Sequence, residues 1–222
     1  SKAPKADYYA FSDQDDVWMP EKLKKSIDEL EKHDPNKALL FHCNRISCNP
    51  DLSALPVQAA KVPCPLDKKN ALTQEFAQGC SIVINEKARE LVCRHIPTII
   101  VPHDFWTGLI CFYFGEVYYS SEPLFYHINH GENASTAGHI KESRMHRLRS
   151  FLHANSYPNI AKDLIEGYND MLSIKDCNFL SIVAYNKNSF IKKLRLVLDP
   201  QFRRVNWQGT ILLKFAILLG KY

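Results

Sequence analysis

An acidic turn between a strand pattern and a helix pattern constrains the fold more than any other feature of the sequence. The run "ADYYAF", residues 6–11, is short and apolar, as in a buried strand. Directly after it, Asp13, Asp15 and Asp16 fall within four positions, and residues 20–32 then carry a helical pattern. Strand, polar turn and helix in this order are typical of open α/β sheets, which bind ligands where their strands end.

The remaining pattern continues the alternation of strands and helices. The helix over "PEKLKKSIDELEK" should turn Leu23, Ile27 and Leu30 toward the core. The segments "ALLFHCNRI", "SIVI" and "EVYYS" predict strands, and Asn85 is placed to cap the helix "EKARELVCR". The run "VPHDFWTGLICFYFG" predicts a helix with Asp104 in its first turn. We therefore expect an α/β protein with a mixed sheet flanked by helices.

Charge divides the chain into two regions. Residues 1–140 carry 14 Lys and Arg against 18 Asp and Glu, whereas residues 141–222 carry 14 against 6. We therefore predict a sheet domain over 1–140 and a basic helical region over 141–222. The final stretch, "FIKKLRLVLDPQFRRVNWQGTILLKFAILLGKY", suits either the surface of an anionic membrane or helices that pack back on the domain.

Cysteine usage and hydropathy indicate the compartment. The seven cysteines include no C-x-x-C pair, which favours a reducing environment over a disulfide framework or a structural zinc site. No signal-peptide pattern opens the sequence, and no apolar run reaches the length of a membrane span. We expect a cytoplasmic protein, either free or at the inner face of the cell membrane.

The acidic turn has two chemical interpretations. Hard divalent cations such as Mg²⁺ and Mn²⁺ prefer oxygen ligands and often share one or two carboxylates with substrate phosphates. Acidic residues are also common at helix starts, where the helix dipole favours them. The turn alone leaves both open.

Three segments together resemble one family. "YYAFSDQDDVWMPEKL", "FAQGCSIVIN" and "PHDFWTGLICFYFGEVYYSSEPLFYHINHGEN" are similar, in this order, to the metal motif, the G-C-T segment and the H-D-x-W helix with its terminal loop. These belong to family 2 glycosyltransferases, in particular the rhamnosyltransferase-like group. The resemblance implies a GT-A, Rossmann-like mixed sheet with a helical C-terminal tail.

Two departures accompany the resemblance. The family opens with strands that bind the nucleotide base, and these do not precede Ser1, so the resemblance implies an N-terminally truncated sheet. We then expect Tyr8, Tyr9 and Phe11 to lie at an open edge without neighbours to bury them. The family's loop arginine also falls on Ile128, which would remove one charge-assisted contact to the diphosphate.

On the donor side, the resemblance assigns roles residue by residue. It implies that Asp13, Asp15 and His130 bind the nucleotide sugar. Asp16, with Asp15, would ligate Mg²⁺ or Mn²⁺. A loop histidine can equally be solvated, and that alternative stays open for His130.

On the acceptor side, the resemblance makes Asp104 the general base. Inverting transfer needs such a carboxylate opposite the leaving diphosphate, although helix capping would also explain Asp104. Gly79, Cys80 and Trp106 would face the acceptor. The alternatives are an ordinary turn for the first two and core packing for the tryptophan.

The resemblance implies an inverting, metal-dependent glycosyltransferase of surface-polysaccharide biosynthesis. Its donor would be dTDP-rhamnose or a UDP-hexose, and its acceptor a hydroxyl of a lipid-linked saccharide. Nucleic acid is not among the expected partners. The competing hypothesis is a catalytically silent glycosyltransferase fragment that acts as a binding or membrane-associated partner.

Overall fold

A computed structural model describes residues 4–56, 58, 64–129 and 159–222 of the chain. Its centre is a mixed five-stranded sheet of order β1-β4-β3-β5-β2. Strands β3 and β5 are parallel, and the other neighbours are antiparallel. The strands are β1 (Tyr8–Ala10), β2 (Val17–Trp18), β3 (Leu39–Cys48), β4 (Val83–Asn85) and β5 (Glu116–Ile128).

Helices flank this sheet, so the predicted α/β class is confirmed. Four lie among the strands: α1 (Lys22–Leu30), α2 (Lys68–Ala71), α3 (Glu86–Cys93) and α4 (His103–Phe114). Four more follow in the described part of the tail: α5 (Ala161–Tyr168), α6 (Ile174–Ala184), α7 (Phe190–Leu198) and α8 (Trp207–Leu218). A short 3₁₀ turn, Gly79–Ser81, precedes β4.

Alternation along β3 builds a core on each face of the sheet. Leu39, Phe41 and Cys43 join the apolar cluster that includes Leu30 of α1. Leu40 points the other way, into a cluster that reaches α3 and α4. Successive strand residues face opposite sides, so the sheet separates α1 from α3 and α4.

The acidic turn connects the two edges of the sheet. Strand β1 pairs with β4 at one edge, and β2 pairs with β5 at the other. Residues 11–16 therefore pass over the end of the sheet between them. The predicted lack of neighbours at β1 is wrong in part: Tyr8, Tyr9 and Phe11 are half-buried, because pairing with β4 places them against the two sheet clusters.

Helix α1 buries the predicted Leu30 and half-buries Ile27, but its buried face is shifted away from Leu23. Lys22, Ser26 and Leu30 are its buried residues, whereas Leu23 is 41% exposed. Lys22 takes the inward position because its ammonium lies 4.0 Å from the centre of the Trp18 ring. A cation over an aromatic face is a favourable arrangement that hydrophobic spacing does not reveal.

Residues close in sequence determine where α3 begins and where α4 ends. The Asn85 side chain accepts a hydrogen bond from the Ala88 amide at 2.9 Å, so the predicted cap is confirmed. Helix α4 ends where Gly115 passes the chain before β3: a Cβ on Gly115 would lie 2.3 Å from the Ala38 carbonyl oxygen. Only glycine permits this approach.

The tail helices pack on the outer side of α4. One apolar cluster combines Trp106 and Leu109 of α4 with Leu164, Leu196 and Leu213 of the tail. The sheet region and the described tail therefore share a core. The predicted boundary near residue 140 lies outside the described residues. Among the described helices, none combines the length and the apolarity that crossing a membrane requires.

Candidate functional site

The acidic turn lies at the C-terminal end of β1, as predicted. Ligand atoms of Asp13, Asp16 and Cys80 come within 4.8 Å of one another there. Cys80 belongs to the 3₁₀ turn that leads into β4, the neighbour of β1. Asp15, predicted as a metal ligand with Asp16, is not in this grouping, so the geometry favours Asp13 as the second carboxylate.

Asp16 is fixed by the pairing of β2 with β5. Val17 pairs with Tyr126 in an antiparallel register, which places the preceding Asp16 opposite His127. Oδ1 of Asp16 lies 2.9 Å from Nδ1 of His127, and the side chains are 0% and 8% exposed, respectively. Oδ2 of Asp16 is also buried, with no hydrogen-bond partner among the described residues.

Asp104 is held at the same end of the sheet. Its Oδ2 accepts a hydrogen bond from the Gly79 amide at 3.0 Å, and its Oδ1 accepts one from the Phe105 amide at 2.8 Å. Gly79 permits this closeness, since a Cβ there would lie 2.9 Å from Nε2 of His103. The carboxylate is therefore oriented by backbone donors on two elements.

Asp13 of the acidic turn lies close enough to Asp104 for their charges to interact. Desolvation by burial raises the pKa of Asp13, and the negative charges of Asp16, Asp15 and Asp104 raise it further. Each of these three neighbouring charges disfavours the ionised form of Asp13. A bound cation would relieve the repulsion between Asp13 and these neighbouring carboxylates.

Two residues that sequence reasoning missed complete the site. Desolvation, followed by the charge of Asp104 and a hydrogen bond to it, raises the pKa of Glu75 to about 7, although Glu75 keeps access to solvent. Arg45 on β3 is half-buried and interacts electrostatically with both Asp16 and Glu75. The Arg45 guanidinium donates a hydrogen bond to the Gln78 side chain.

Gln78 joins these groups to the histidine. Its amide nitrogen lies 3.3 Å from Nδ1 of His127. His127 itself escaped prediction because the strand pattern ended at "EVYYS", whereas β5 runs to Ile128. The signal that would have found it is strand register, which the sequence alone does not supply.

Cys80 and Trp106, the other two residues predicted to face the acceptor, are both buried. Cys80 is fully buried, its Sγ accepts a hydrogen bond from Nε1 of Trp18 at 3.0 Å, and desolvation raises its pKa to about 11. Trp106 does not face the site. Its side chain is buried in the α4 core, where Nε1 donates to the Val92 carbonyl. His130 lies outside the described residues.

A second acidic grouping, formed by His95, Asp163 and Glu166, has a structural explanation. Asp163 is buried and accepts hydrogen bonds from the amide and the hydroxyl of Thr98, and it pairs with Nε2 of His95 at 3.0 Å. These contacts tie α5 to the segment before α4.

A cavity of about 660 Å³, beside Tyr8 and Leu30, lies at the start of β1 rather than at the acidic turn.

The fold and the site define an α/β protein whose mixed sheet carries an acidic cluster, with histidine and arginine beside it, at one end. No protein-family model matches the chain, and no curated protein matches it.

Proposed function

We propose that the protein is a metal-dependent inverting glycosyltransferase of the GT-A type. One observation carries the proposal: Asp13 and Asp16, suited to a cation, lie beside Asp104, a carboxylate oriented by two backbone amides. Transfer from a nucleotide-diphosphate sugar needs a cation site and a general base within one sugar's length of each other.

The side chains at the acidic turn fit a hard divalent cation. The buried Oδ2 of Asp16 lacks a partner among the described residues, and leaving such an oxygen unpaired is costly. Hard divalent cations prefer oxygen to sulfur ligands, so the two carboxylates rather than the Cys80 thiol suit such an ion. Asp16 and Asp13 would therefore hold Mg²⁺ or Mn²⁺, which would neutralise charge on the leaving diphosphate.

Arg45 compensates for the arginine that Ile128 replaces. Its guanidinium lies on β3 close enough to Asp16 for their charges to interact. The hydrogen bond to Gln78 fixes its position. A guanidinium at this point can bind a diphosphate oxygen through a charge-assisted hydrogen bond.

Asp104 acts as the general base. It accepts the proton of the acceptor hydroxyl while that oxygen forms a bond to the anomeric carbon. The bond from this carbon to the diphosphate oxygen breaks on the opposite side, so the configuration inverts. The amides of Gly79 and Phe105 hold the carboxylate in place, and Glu75 adjoins it.

The donor we propose is dTDP-rhamnose or a UDP-hexose, and the acceptor is a lipid-linked saccharide of a surface polysaccharide. These identities follow from the sequence resemblance of the acidic turn and the H-D-x-W helix. The location is the cytoplasm or the inner face of the cell membrane.

Calorimetric titration of dTDP and UDP, each with and without Mn²⁺, tests the proposal. We expect binding that requires the metal in the parent protein and is lost in Asp16→Asn, which keeps the side-chain shape. Asp28→Asn, an exposed carboxylate change on α1, is the matched control and should bind like the parent. Nucleotide binding whose affinity depends on neither the metal nor Asp16 would contradict the proposal and favour the silent-fragment alternative.

A further inference from the structure

Helix α7 has an apolar face that no described part of the chain covers. Leu196 is its buried residue, and Phe190, Leu194 and Leu198, spaced four apart, are 72%, 41% and 70% exposed. At 100° per residue these three positions lie on the side opposite Leu196. The helix thus packs on the core through one side and presents apolar side chains on the other.

Helix α8 repeats this arrangement. Its inner side is buried through Leu213, Ala216 and Ile217. Its outer side exposes a second row at helical spacing: Trp207, Ile211, Phe215 and Leu218. A helix that is apolar all round normally has both sides covered, but the outer side of α8 is exposed and has no covering partner among the described residues.

The two helices form one antiparallel unit, here called the α7–α8 hairpin (residues 190–218). Nζ of Lys214 on α8 donates to the Asp199 carbonyl, at the end of α7, at 2.9 Å. Nζ of Lys193 on α7 lies 3.4 Å from the Leu218 carbonyl, at the end of α8. The two exposed rows are therefore carried by neighbouring helices fixed to each other.

Charge identifies what would cover this surface. Residues 186–222 contain eight Lys and Arg and a single acidic residue, Asp199. Asp199 is itself paired with Lys69 at 2.5 Å. Exposed apolar rows within a segment of strong net positive charge complement a surface that is apolar beneath an anionic layer, as at an anionic bilayer.

A second copy of the chain fits this surface less well. A two-fold dimer would press the same face against itself, bringing the basic residues of one copy onto those of the other. Spanning a bilayer is excluded as well for α8, because its 12 residues extend about 18 Å, against a hydrocarbon core of about 30 Å.

We propose that the α7–α8 hairpin is an in-plane docking surface for a membrane rich in anionic phospholipid. Trp207 and Phe215 enter the headgroup region, while exposed basic residues such as Arg195 and Arg203 contact the lipid phosphates. This surface is independent of the sugar-transfer proposal, since none of its residues lies in the acidic site.

Vesicle co-sedimentation of the full chain tests the inference. The probes are phosphatidylcholine vesicles with and without about one-third phosphatidylglycerol, and we expect at least about tenfold tighter binding to the anionic ones, weakened by salt. The double variant Trp207→Glu/Phe215→Glu should lose this binding. Ile100→Glu/Ile174→Glu, which makes the same charge change at exposed isoleucines outside the hairpin, should keep it.

Three results would overturn the inference. The first is equal partition of the parent to neutral and anionic vesicles, and the second is equal binding by the two double variants. The third is a parent that does not bind vesicles but self-associates in sedimentation equilibrium, with only Trp207→Glu/Phe215→Glu restoring the monomer, because the surface would then bind a second copy. Arg195→Glu/Arg203→Glu separates charge from apolar contact and should weaken binding to anionic vesicles alone.

Discussion

Asp16 and His127 meet at 2.9 Å across 111 positions of sequence, one at the end of the acidic turn and the other near the end of β5. The contact follows from the two-residue strand β2, whose pairing with β5 sets the register. The second carboxylate oxygen of Asp16 is buried and has no hydrogen-bond partner in the described part of the chain. The Asp16 side chain is thus oriented toward the site rather than toward solvent.

The proposed base gives the first prediction. Asp104→Asn should lower the turnover of sugar transfer by about 10²-fold or more, the usual scale for a general base. Binding of the metal and the nucleotide should be nearly unchanged, because the amide retains the shape of the carboxylate. Steady-state transfer assays beside calorimetry measure both. Turnover within a few-fold of the parent would assign Asp104 a purely structural role.

Glu75 gives a prediction about pH. Its pKa is raised from 4.5 to about 7 in the folded protein, so the folded state binds the proton more tightly than the unfolded state. The contribution of Glu75 to the free energy of unfolding therefore falls as pH rises from 4.5 to 7. Glu75→Gln should remove this dependence and be relatively more stable at about pH 8 than at about pH 4.

Urea unfolding at several pH values measures this effect. Glu90→Gln, at an exposed carboxylate on α3 that pairs with Lys87, is the control for loss of one negative charge. If both variants show the same pH dependence, desolvation and Asp104 do not act on Glu75 as described.

Lys22 gives a prediction about stability. Its side chain is fully buried, and Nζ has no hydrogen-bond partner among the described residues. Desolvation lowers its pKa from 10.5. Lys22→Met should raise the free energy of unfolding by about 1 kcal/mol or more, since replacing a buried charge by an apolar side chain of similar length is often stabilising.

The sign of the pH effect checks the cause. A lysine whose folded pKa is depressed gains stability as pH rises toward the unfolded value of 10.5. The advantage of Lys22→Met should therefore shrink at alkaline pH, as followed by chemical denaturation. Lys24→Met, at an exposed position of the same helix, should change little. A destabilised Lys22→Met would mean that the contact with Trp18 outweighs desolvation.

Local signals explain why much of the fold was predictable. The β1 strand, the Asn85 cap and the start of α4 depend on residues close in sequence, and all three hold. The burial of Lys22 on α1 was not predictable, because this lysine contacts an aromatic ring and is not apolar.

The residues of the site also fall into those that local sequence indicates and those that only long-range contacts bring in. Asp13, Asp16 and Asp104 have residue types and positions that indicate chemistry, and the structure brings them together. His127 and Arg45 enter through long-range strand pairing. Neither residue belongs to a sequence motif that indicates chemistry, so only the sheet topology identifies them.

Crystals grown with Mn²⁺ and dTDP or UDP provide the most direct test of the central claim, that the acidic turn holds a cation and the diphosphate attached to it. We expect an anomalous difference peak about 2.2 Å from Oδ2 of Asp16, as for oxygen-bound divalent ions, with Asp13 adjacent and a diphosphate oxygen between the metal and Arg45. Nucleotide bound elsewhere, or a metal peak away from Asp16, would contradict the claim.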